Sequence, residues 1–300
     1  MPFAYKDREK FVCREQSLEF FFVILQAMRR VTLLFIMLLA RLALWAQSYQ
    51  ELVKHAFSAL EQDSLEVAER DIRSALRLEP TFQTNALLLG YLGQIQERRG
   101  MLEQALESYS QGLNLSPSSV SLLLNRASLY VRMEQDSRAI ADYSDVLRQN
   151  PDHGEALFFR AYLFTQQRLY KQAREDYEHL IRLEPRNEKA HLGLALLNDR
   201  SGRPHEALEQ MNALVQLFPN HANLYAVRGG MEERRKQYEL ARHDYDRAIE
   251  LEPSNPDFHL IRGTFYLSTK KKRLAKADFD KAIELGADQT EVAALMKGEK

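Results

Sequence analysis

The sequence contains little cysteine and no excess of either charge. Cys13 is the only cysteine among 300 residues, which excludes an internal disulfide and a cysteine-based metal site. The chain has 41 basic and 42 acidic residues, and so it lacks the overall basic excess typical of nucleic-acid-binding proteins. Only 12 glycines and 9 prolines occur, too few for a low-complexity chain. With 45% hydrophobic residues, the chain has ample material for an ordinary core.

Motifs for catalysis and for ligand binding are absent as well. The eight histidines form no HExxH motif, and no two of them have the i, i+4 spacing of a zinc-binding helix. The sequence contains no GxSxG motif, no phosphate-binding loop and no GxGxxG motif. We therefore predict that the protein is not an enzyme. We also predict no cofactor, no metal, no small-molecule substrate and no nucleic-acid partner.

The first 46 residues differ from the rest of the chain. The stretch MRRVTLLFIMLLARLALWAQ starts at Met28 with two arginines, continues through an apolar run and ends with a small residue, Ala46, before Gln47. This pattern is typical of a signal peptide. Arg41 interrupts the apolar run, which leaves it shorter than the roughly 20 residues that a membrane-spanning helix needs. We interpret 28–46 as a signal peptide and 1–27 as an upstream extension created by a misassigned start.

The signal peptide predicts the location of the protein. Cleavage after Ala46 would leave an exported body with 34 basic and 38 acidic residues, located in the periplasm or associated with the envelope. The alternative is an uncleaved signal segment that anchors the protein in the inner membrane. A membrane contact is predicted only for this alternative.

A proline recurs after a leucine-rich phrase along most of the chain. The recurring positions are Pro80, Pro117, Pro151, Pro185, Pro219 and Pro253, and Ala287 takes the next slot. The first step is 37 residues, and the five later steps are 34 residues each. A fixed period near 34 is typical of a two-helix repeat. Counting back 31 residues from each slot gives seven units, which begin at Tyr49, Ala86, Val120, Gly154, Glu188, Ala222 and Pro256.

Residues that did not define this frame support it. The eighth position of every unit is alanine or glycine, and the twentieth is always alanine. The twenty-fourth position is large in each unit: Ile72, Tyr109, Tyr143, Tyr177, Met211, Tyr245 and Phe279. Small residues let two helices approach closely, and a bulky side chain fills the adjacent space. Each unit is therefore predicted to be a helix, a tight turn and a second helix, with Gly100 and Gly202 ending first helices.

The period, the small–small–large pattern and the proline together resemble the tetratricopeptide repeat family over about residues 49–289. The resemblance implies an all-α fold, a right-handed superhelical solenoid of about seven helix-turn-helix units that spans 47–289. It also implies a concave groove, built from the first helix of each unit, that holds an extended peptide or a helix of a partner. The last stretch, 290–300, is predicted to be the capping helix that such an array needs.

Arginine and aspartate occur together at two positions of the repeat. The seventh and twenty-third positions hold Arg126 with Asp142, Arg160 with Asp176, Arg228 with Asp244, and Arg262 with Asp278. Units two and five lack both residues, and unit one has Asp71 without a matching arginine. Because the two residues are present or absent together in the other six units, we predict ion pairs that join the two helices of a unit, with a structural role.

The family geometry implies that five positions of the first helix face the groove: the second, fifth, ninth, twelfth and thirteenth. In unit four these positions include Phe158 and Tyr162, four residues apart on one helix face. The thirteenth position is arginine in four units: Arg98, Arg132, Arg200 and Arg234. We predict that these arginines bind carbonyls or acidic side chains of a partner, and that the two aromatic residues form the centre of the site. The alternatives are that the arginines stay solvated near helix C-termini and that Phe158 only packs against the next helix pair.

These features favour a non-catalytic protein–protein interaction scaffold of the bacterial cell envelope. Its partner would be a protein or peptide held in the concave groove. The alternative is a structural subunit of a larger envelope complex, assembled through the convex face or the ends of the array.

Overall fold

The computed structural model describes residues 48–79 and 83–297, together with Thr32. The predicted upstream extension lies outside the described residues, as does the predicted signal peptide apart from Thr32. Among the described residues, no helix is both long enough and apolar enough to cross a membrane.

The described residues form helices joined by short turns, and they include no β-strand. A helical segment over 48–61, here α1, precedes α2 (Leu65–Leu78). The helices that follow are α3 (Asn85–Arg98), α4 (Leu102–Leu115), α5 (Val120–Arg132), α6 (Asp136–Gln149), α7 (Gly154–Gln166), α8 (Tyr170–Leu183), α9 (Glu188–Arg200), α10 (Pro204–Leu217), α11 (Ala222–Arg234), α12 (Tyr238–Leu251), α13 (Pro256–Ser268), α14 (Lys272–Glu284) and α15 (Gln289–Lys297). The chain is thus an all-α array of helix-turn-helix repeats.

The helices recur with the period seen in the sequence. From α5 onward, the first helix of each repeat begins every 34 residues, at Val120, Gly154, Glu188, Ala222 and Pro256. In the second repeat, α3 begins at Asn85, one residue before the start of the sequence frame. The alanines at the twentieth position are at most 1% exposed, and the large residues at the twenty-fourth are at most 3% exposed. The close helix contact predicted from these positions is therefore present in every repeat.

The helices group into two compact units, Met1–Asn125 and Arg126–Lys300, with the boundary inside α5. The core of the first unit includes Ala56, Ile72 and Ile95. In the second unit, buried clusters surround Tyr177, Met211 and Phe279.

The fifteenth position of each repeat ends the first helix in a left-handed backbone conformation. Gly100 and Gly202 have φ values of 75° and 80°, as expected for glycine at a helix end. The same position has positive φ in the other five repeats, at Asp63, Glu134, Arg168, Lys236 and Lys270. The turn therefore has one geometry throughout, although only two repeats have glycine, the residue that adopts this conformation without strain.

The final helix, α15, packs on the last repeat. The Asp288 side chain accepts hydrogen bonds from the backbone N–H groups of Thr290 at 2.7 Å and Glu291 at 2.9 Å, which caps the helix. Val292 is 1% exposed and lies in the cluster with Phe279. The helix contacts both α13 and α14 and so covers part of their apolar surface.

Candidate functional site

The four predicted arginine–aspartate pairs are in contact in the structure. Arg160 donates from Nε and Nη2 to the two carboxylate oxygens of Asp176, both at 2.8 Å. The pairs headed by Arg126, Arg228 and Arg262 have the same bidentate geometry, with distances of 2.7–2.9 Å. Hydrogen bonding to Asp142 raises the pKa of Arg126 above its usual value. Each pair joins the first and second helices of its repeat.

Arg160, Arg228 and Arg262 also reach the preceding repeat. The Nη1 group of Arg160 donates to Ser144 Oγ at 3.1 Å. Arg228 donates to Asn212 Oδ1 at 3.0 Å, and Arg262 donates to Asp246 Oδ1 at 2.7 Å. The acceptor is the twenty-fifth position of the previous repeat each time, so one guanidinium links three helices. This third link was not predicted, because its two partners belong to different repeats.

Repeats without the pair use other polar groups. In the first repeat, His55 occupies the seventh position and its ring nitrogen contacts Asp71, which explains the aspartate that lacks an arginine. In the fifth repeat, the buried Asn198 accepts from Arg174 and donates to Gln210 at 2.9 Å. These substitutes join the helices without a bidentate ion pair.

A small apolar pocket of about 230 Å³ lies between the first helices of the fourth and fifth repeats. Phe158, Tyr162 and Thr165 line it from α7, and Leu192 and Leu196 line it from α9. Its walls are therefore positions that the sequence placed in the groove. This pocket is the candidate site.

The two predicted aromatic residues have different environments in this pocket. Tyr162 is 45% exposed, so its ring is available to a partner. Phe158 is half-buried, and its ring centroid lies 6.1 Å from that of Tyr177 in an edge-on arrangement. Tyr177 also lines the pocket, and burial raises its pKa to about 12. Phe158 thus both lines the pocket and packs against the repeat core.

The four predicted groove arginines do not converge on one site. Arg200 lines the pocket, and its guanidinium donates to Gln166 Oε1 at 3.0 Å. Arg234 pairs with Asp199 at 2.5 Å, and Arg98 pairs with Asp63 at 2.5 Å. Arg132 is an exposed residue at the end of α5. Arg200, Arg234 and Arg98 therefore each join neighbouring repeats, and the binding of a partner by the four arginines stays a prediction.

A cation that was not among the predicted site residues lies at the pocket edge. Lys189 occupies the second position of the fifth repeat and lines the pocket together with Arg200. The second position was among those assigned to the groove, but only the structure shows that Lys189 and Arg200 flank one cavity. An apolar cavity with two cations at its edge suits an apolar side chain next to a carboxylate.

A second pocket lies among the second helices of the same two repeats, α8 and α10, and the first helix of the fifth repeat, α9. It has a volume of about 500 Å³ and is lined by apolar residues that include Ile181, Leu194 and Leu214, together with Glu178 and Gln210. Leu194 and Gln210 are the residues that replace the arginine–aspartate pair in the fifth repeat. The pocket therefore lies where Leu194, which is shorter than the arginine of other repeats, leaves space.

Within the described residues, no group of three or more His, Cys, Asp or Glu side chains is placed to hold a metal ion.

Comparison with known families and structures gives a consistent result. The family model described as tetratricopeptide repeat matches residues 124–178, 163–222 and 232–290. A search of curated protein sequences finds no match to this chain. The crystal structure of a tetratricopeptide repeat protein from Parabacteroides merdae ATCC 43184 is 31% identical, with a TM-score of 0.71, and the match covers 84% of this chain and 98% of that chain.

More distant structures share the fold. YrrB, described as a TPR protein with an unusual peptide-binding site, is 20% identical with a TM-score of 0.51, over 67% of this chain and 97% of its own. The pilF protein of Pseudomonas aeruginosa is 18% identical with a TM-score of 0.53, over 73% of this chain and 99% of its own. The family model matches more than half of the residues, and the Parabacteroides merdae protein matches most of both chains. The chain therefore belongs to the tetratricopeptide repeat family.

Proposed function

We propose that this protein is a non-catalytic scaffold that holds a segment of a partner protein in the pocket between α7 and α9. The observation that carries the proposal is the combination of the exposed Tyr162 with a mainly apolar cavity flanked by Lys189 and Arg200. Exposed aromatic residues beside arginine commonly dominate protein-binding energy, because they bury a large area with few rotatable bonds.

The pocket volume limits what the site holds. About 230 Å³ accommodates one or two side chains of a partner rather than a whole helix. The bound segment therefore presents an apolar side chain to Tyr162 and Leu196, with an acidic group next to it for Lys189 and Arg200. The peptide-binding site named for YrrB is a property of that protein and lends support only through the shared fold.

We further propose that the scaffold works in the bacterial envelope. The support is the sequence pattern of 28–46, which is typical of a signal peptide cleaved before Gln47. The mass of the protein isolated from its native envelope tests this step. A chain that starts at Gln47 supports export with cleavage, and a chain that retains 28–46 supports the anchored alternative.

Site-specific crosslinking tests the groove. A photoreactive amino acid placed at Tyr162 is expected to crosslink the partner in native cells, and Arg200→Ala in the same chain should reduce the yield. Tyr162→Ala should weaken binding of the isolated partner by about 10-fold, which is roughly 1–2 kcal/mol. Circular dichroism checks that the fold persists. Undiminished binding by a folded Tyr162→Ala protein contradicts the proposal.

The second candidate function, a structural subunit of a larger envelope complex, is favoured by the pocket lined by Leu194. This pocket has a volume of about 500 Å³, and Leu217 at its edge is 40% exposed. A photoreactive residue at Leu217 gives the matched comparison. Crosslinks from Leu217 and none from Tyr162 would favour the structural role.

A further inference from the structure

The turn that opens α14 carries a dense cluster of cations. Residues 270–276 read KKKRLAK, which contains four lysines and one arginine but no acidic residue. All five of these side chains are exposed, and none forms an ion pair with another described residue. The matching stretch of the sixth repeat, 236–242, holds one acidic residue, Glu239, which pairs with Arg242 at 3.3 Å. We call residues 236–240 and 270–276 together the basic edge.

The two halves of the basic edge lie side by side. Ser268 Oγ, just before the second turn, donates to Glu233 Oε1 at 2.7 Å, just before the first turn. The rings of Tyr238 and Phe265 have centroids 6.4 Å apart. Adjacent turns therefore present Lys236 on the same side of the array as the five cations of 270–276.

Exposed apolar side chains are interspersed with these cations. Leu240 is 53% exposed, Leu274 is 47% exposed and Tyr238 is 42% exposed. Leu240 and Leu274 both occupy the nineteenth position, so they lie one repeat apart. Lysines surrounding exposed leucines are typical of surfaces that lie in the headgroup region of a bilayer.

The stability of the fold does not account for this sequence. Acidic residues occupy the first turn of five other second helices, where they complement the helix dipole: Glu66, Glu103, Asp136, Glu206 and Glu239. The first turns of α8 and α14 have none, and that of α14 begins with Lys272 and Arg273. Cations at a helix N-terminus oppose the dipole and repel one another. A negatively charged ligand would remove this repulsion.

We propose that the basic edge binds the surface of an anionic lipid bilayer. The lysines contact phosphate groups, and Leu240 and Leu274 enter the boundary between headgroups and acyl chains. A nucleic acid would also neutralise the cations, but it offers nothing to exposed leucines. The nearby acidic groups Asp246 and Asp278 are held by Arg262 and do not offset the cluster. This surface is independent of the pocket at Tyr162, so the scaffold would sit on a membrane while its groove remains available.

Vesicle binding by matched charge variants tests the proposal. The full chain is mixed with vesicles of phosphatidylcholine alone or with added phosphatidylglycerol, and sedimentation gives the bound fraction. Lys271→Glu/Lys272→Glu changes the charge by the same amount as the control Arg182→Glu/Arg186→Glu, whose side chains are also exposed. Each basic residue near an anionic surface contributes about fivefold to binding. The affinity of the first variant for anionic vesicles should therefore fall by about 100-fold or more. The affinity of the control variant should change little.

A local probe separates the basic edge from any binding by the first 46 residues. Trp45 is the only tryptophan, so Leu274→Trp in a Trp45→Phe chain reports from one position. Anionic vesicles should shift its emission to shorter wavelength, and brominated lipids should quench it. Increased salt should reverse both effects. Equal vesicle binding by the two charge variants, an unquenched Leu274→Trp, or preferential binding to duplex DNA would overturn the proposal.

Discussion

The ring of Tyr177 lies directly against the backbone of Gly193, beneath the pocket between α7 and α9. A Cβ atom built on Gly193 would lie 2.6 Å from the ring atoms Cε1 and Cζ, well inside the roughly 3.5–4.0 Å of normal carbon contacts. Gly193→Ala must therefore displace Tyr177 and the pocket floor. We expect a loss of about 1–3 kcal/mol in stability, measured by denaturant unfolding.

Gly230→Ala is the matched control. Gly230 also lies inside a first helix, but its nearest neighbours for a Cβ are 3.8 Å away. Alanine there gains up to about 1 kcal/mol of helix propensity without a clash. The melting temperature of the Gly230→Ala variant should equal or exceed that of the parent. Equal destabilisation by both variants would mean that the tight contact at Tyr177 is not the cause.

Removal of one partner from an arginine–aspartate pair should be costly. Asp244 is 2% exposed, and Arg228→Ala leaves its carboxylate buried without its bidentate partner. Breaking a buried pair in this way costs about 3–5 kcal/mol. Thermal and denaturant unfolding should show a large loss of stability.

The fifth repeat suggests how that loss can be reversed. It carries Leu194 and Gln210 at the positions of the pair and keeps the same helices. Arg228→Leu combined with Asp244→Gln should therefore recover most of the stability lost by Arg228→Ala, because no unpaired charge remains. A double variant as unstable as the single variant would show that the buried charge is not the main cost.

Glu232 should make stability depend on pH. This side chain is 7% exposed, and its Oε2 has no hydrogen-bond partner among the described residues. Burial and the negative charge of Asp244 raise the pKa of Glu232 to about 7, although Arg228 opposes the shift. The folded chain then holds this proton more tightly than the unfolded chain does. The stabilisation that comes from protonated Glu232 is therefore complete below the ordinary pKa of 4.5, and it is lost as pH rises towards 7.

Glu232→Gln should remove this dependence. Above pH 7 the variant should be more stable than the parent by up to about 3 kcal/mol, and below pH 4.5 the two should be similar. Chemical denaturation at several pH values measures the free energy of unfolding of the variant and of the parent. Glu209→Gln, an exposed residue on α10, is the control and should leave the curve unchanged. Parallel stability curves for Glu232→Gln and the parent would contradict the prediction.

The left-handed fifteenth position predicts opposite effects of glycine and alanine. Glu134 has a φ of 57°, so Glu134→Gly should relieve strain and stabilise the fold by up to about 1 kcal/mol. Gly202 has a φ of 80°, and Gly202→Ala should destabilise by about the same amount. Melting temperatures of the two variants test the pair, and shifts of the same sign would contradict it.

Much of this fold could be predicted from spacing alone. The alanines and the large residues of the repeat, such as Ala173 and Tyr177, established the frame, because close helix packing restricts residue size at those positions. The pairing of Arg160 with Asp176 could be predicted as well, since the two residues appear and disappear together among repeats.

Other features could not be predicted, because they depend on neighbouring repeats or on local context. The hydrogen bond from Arg160 to Ser144 joins two repeats, and a frame that compares positions within one repeat does not show it. Lys270 gives no sequence signal of a left-handed turn, since glycine is the residue that marks one. The cations of 270–276 are hidden in an overall charge near zero. The pocket at Tyr162 required the actual approach of α7 and α9.

The links that reach one repeat back have a consequence for how such a chain changes length. Loss of residues 222–255 would join two repeats in register, since the repeats are 34 residues apart. Arg262 would then meet Asn212 in place of Asp246, and Ser268 would meet Asp199 in place of Glu233, with an acceptor available each time. The fifth and sixth repeats thus both offer acceptors that fit the seventh repeat. A gene that gains or loses 34 codons in this frame continues to encode matched neighbours, so the length of the array can evolve separately from its packing.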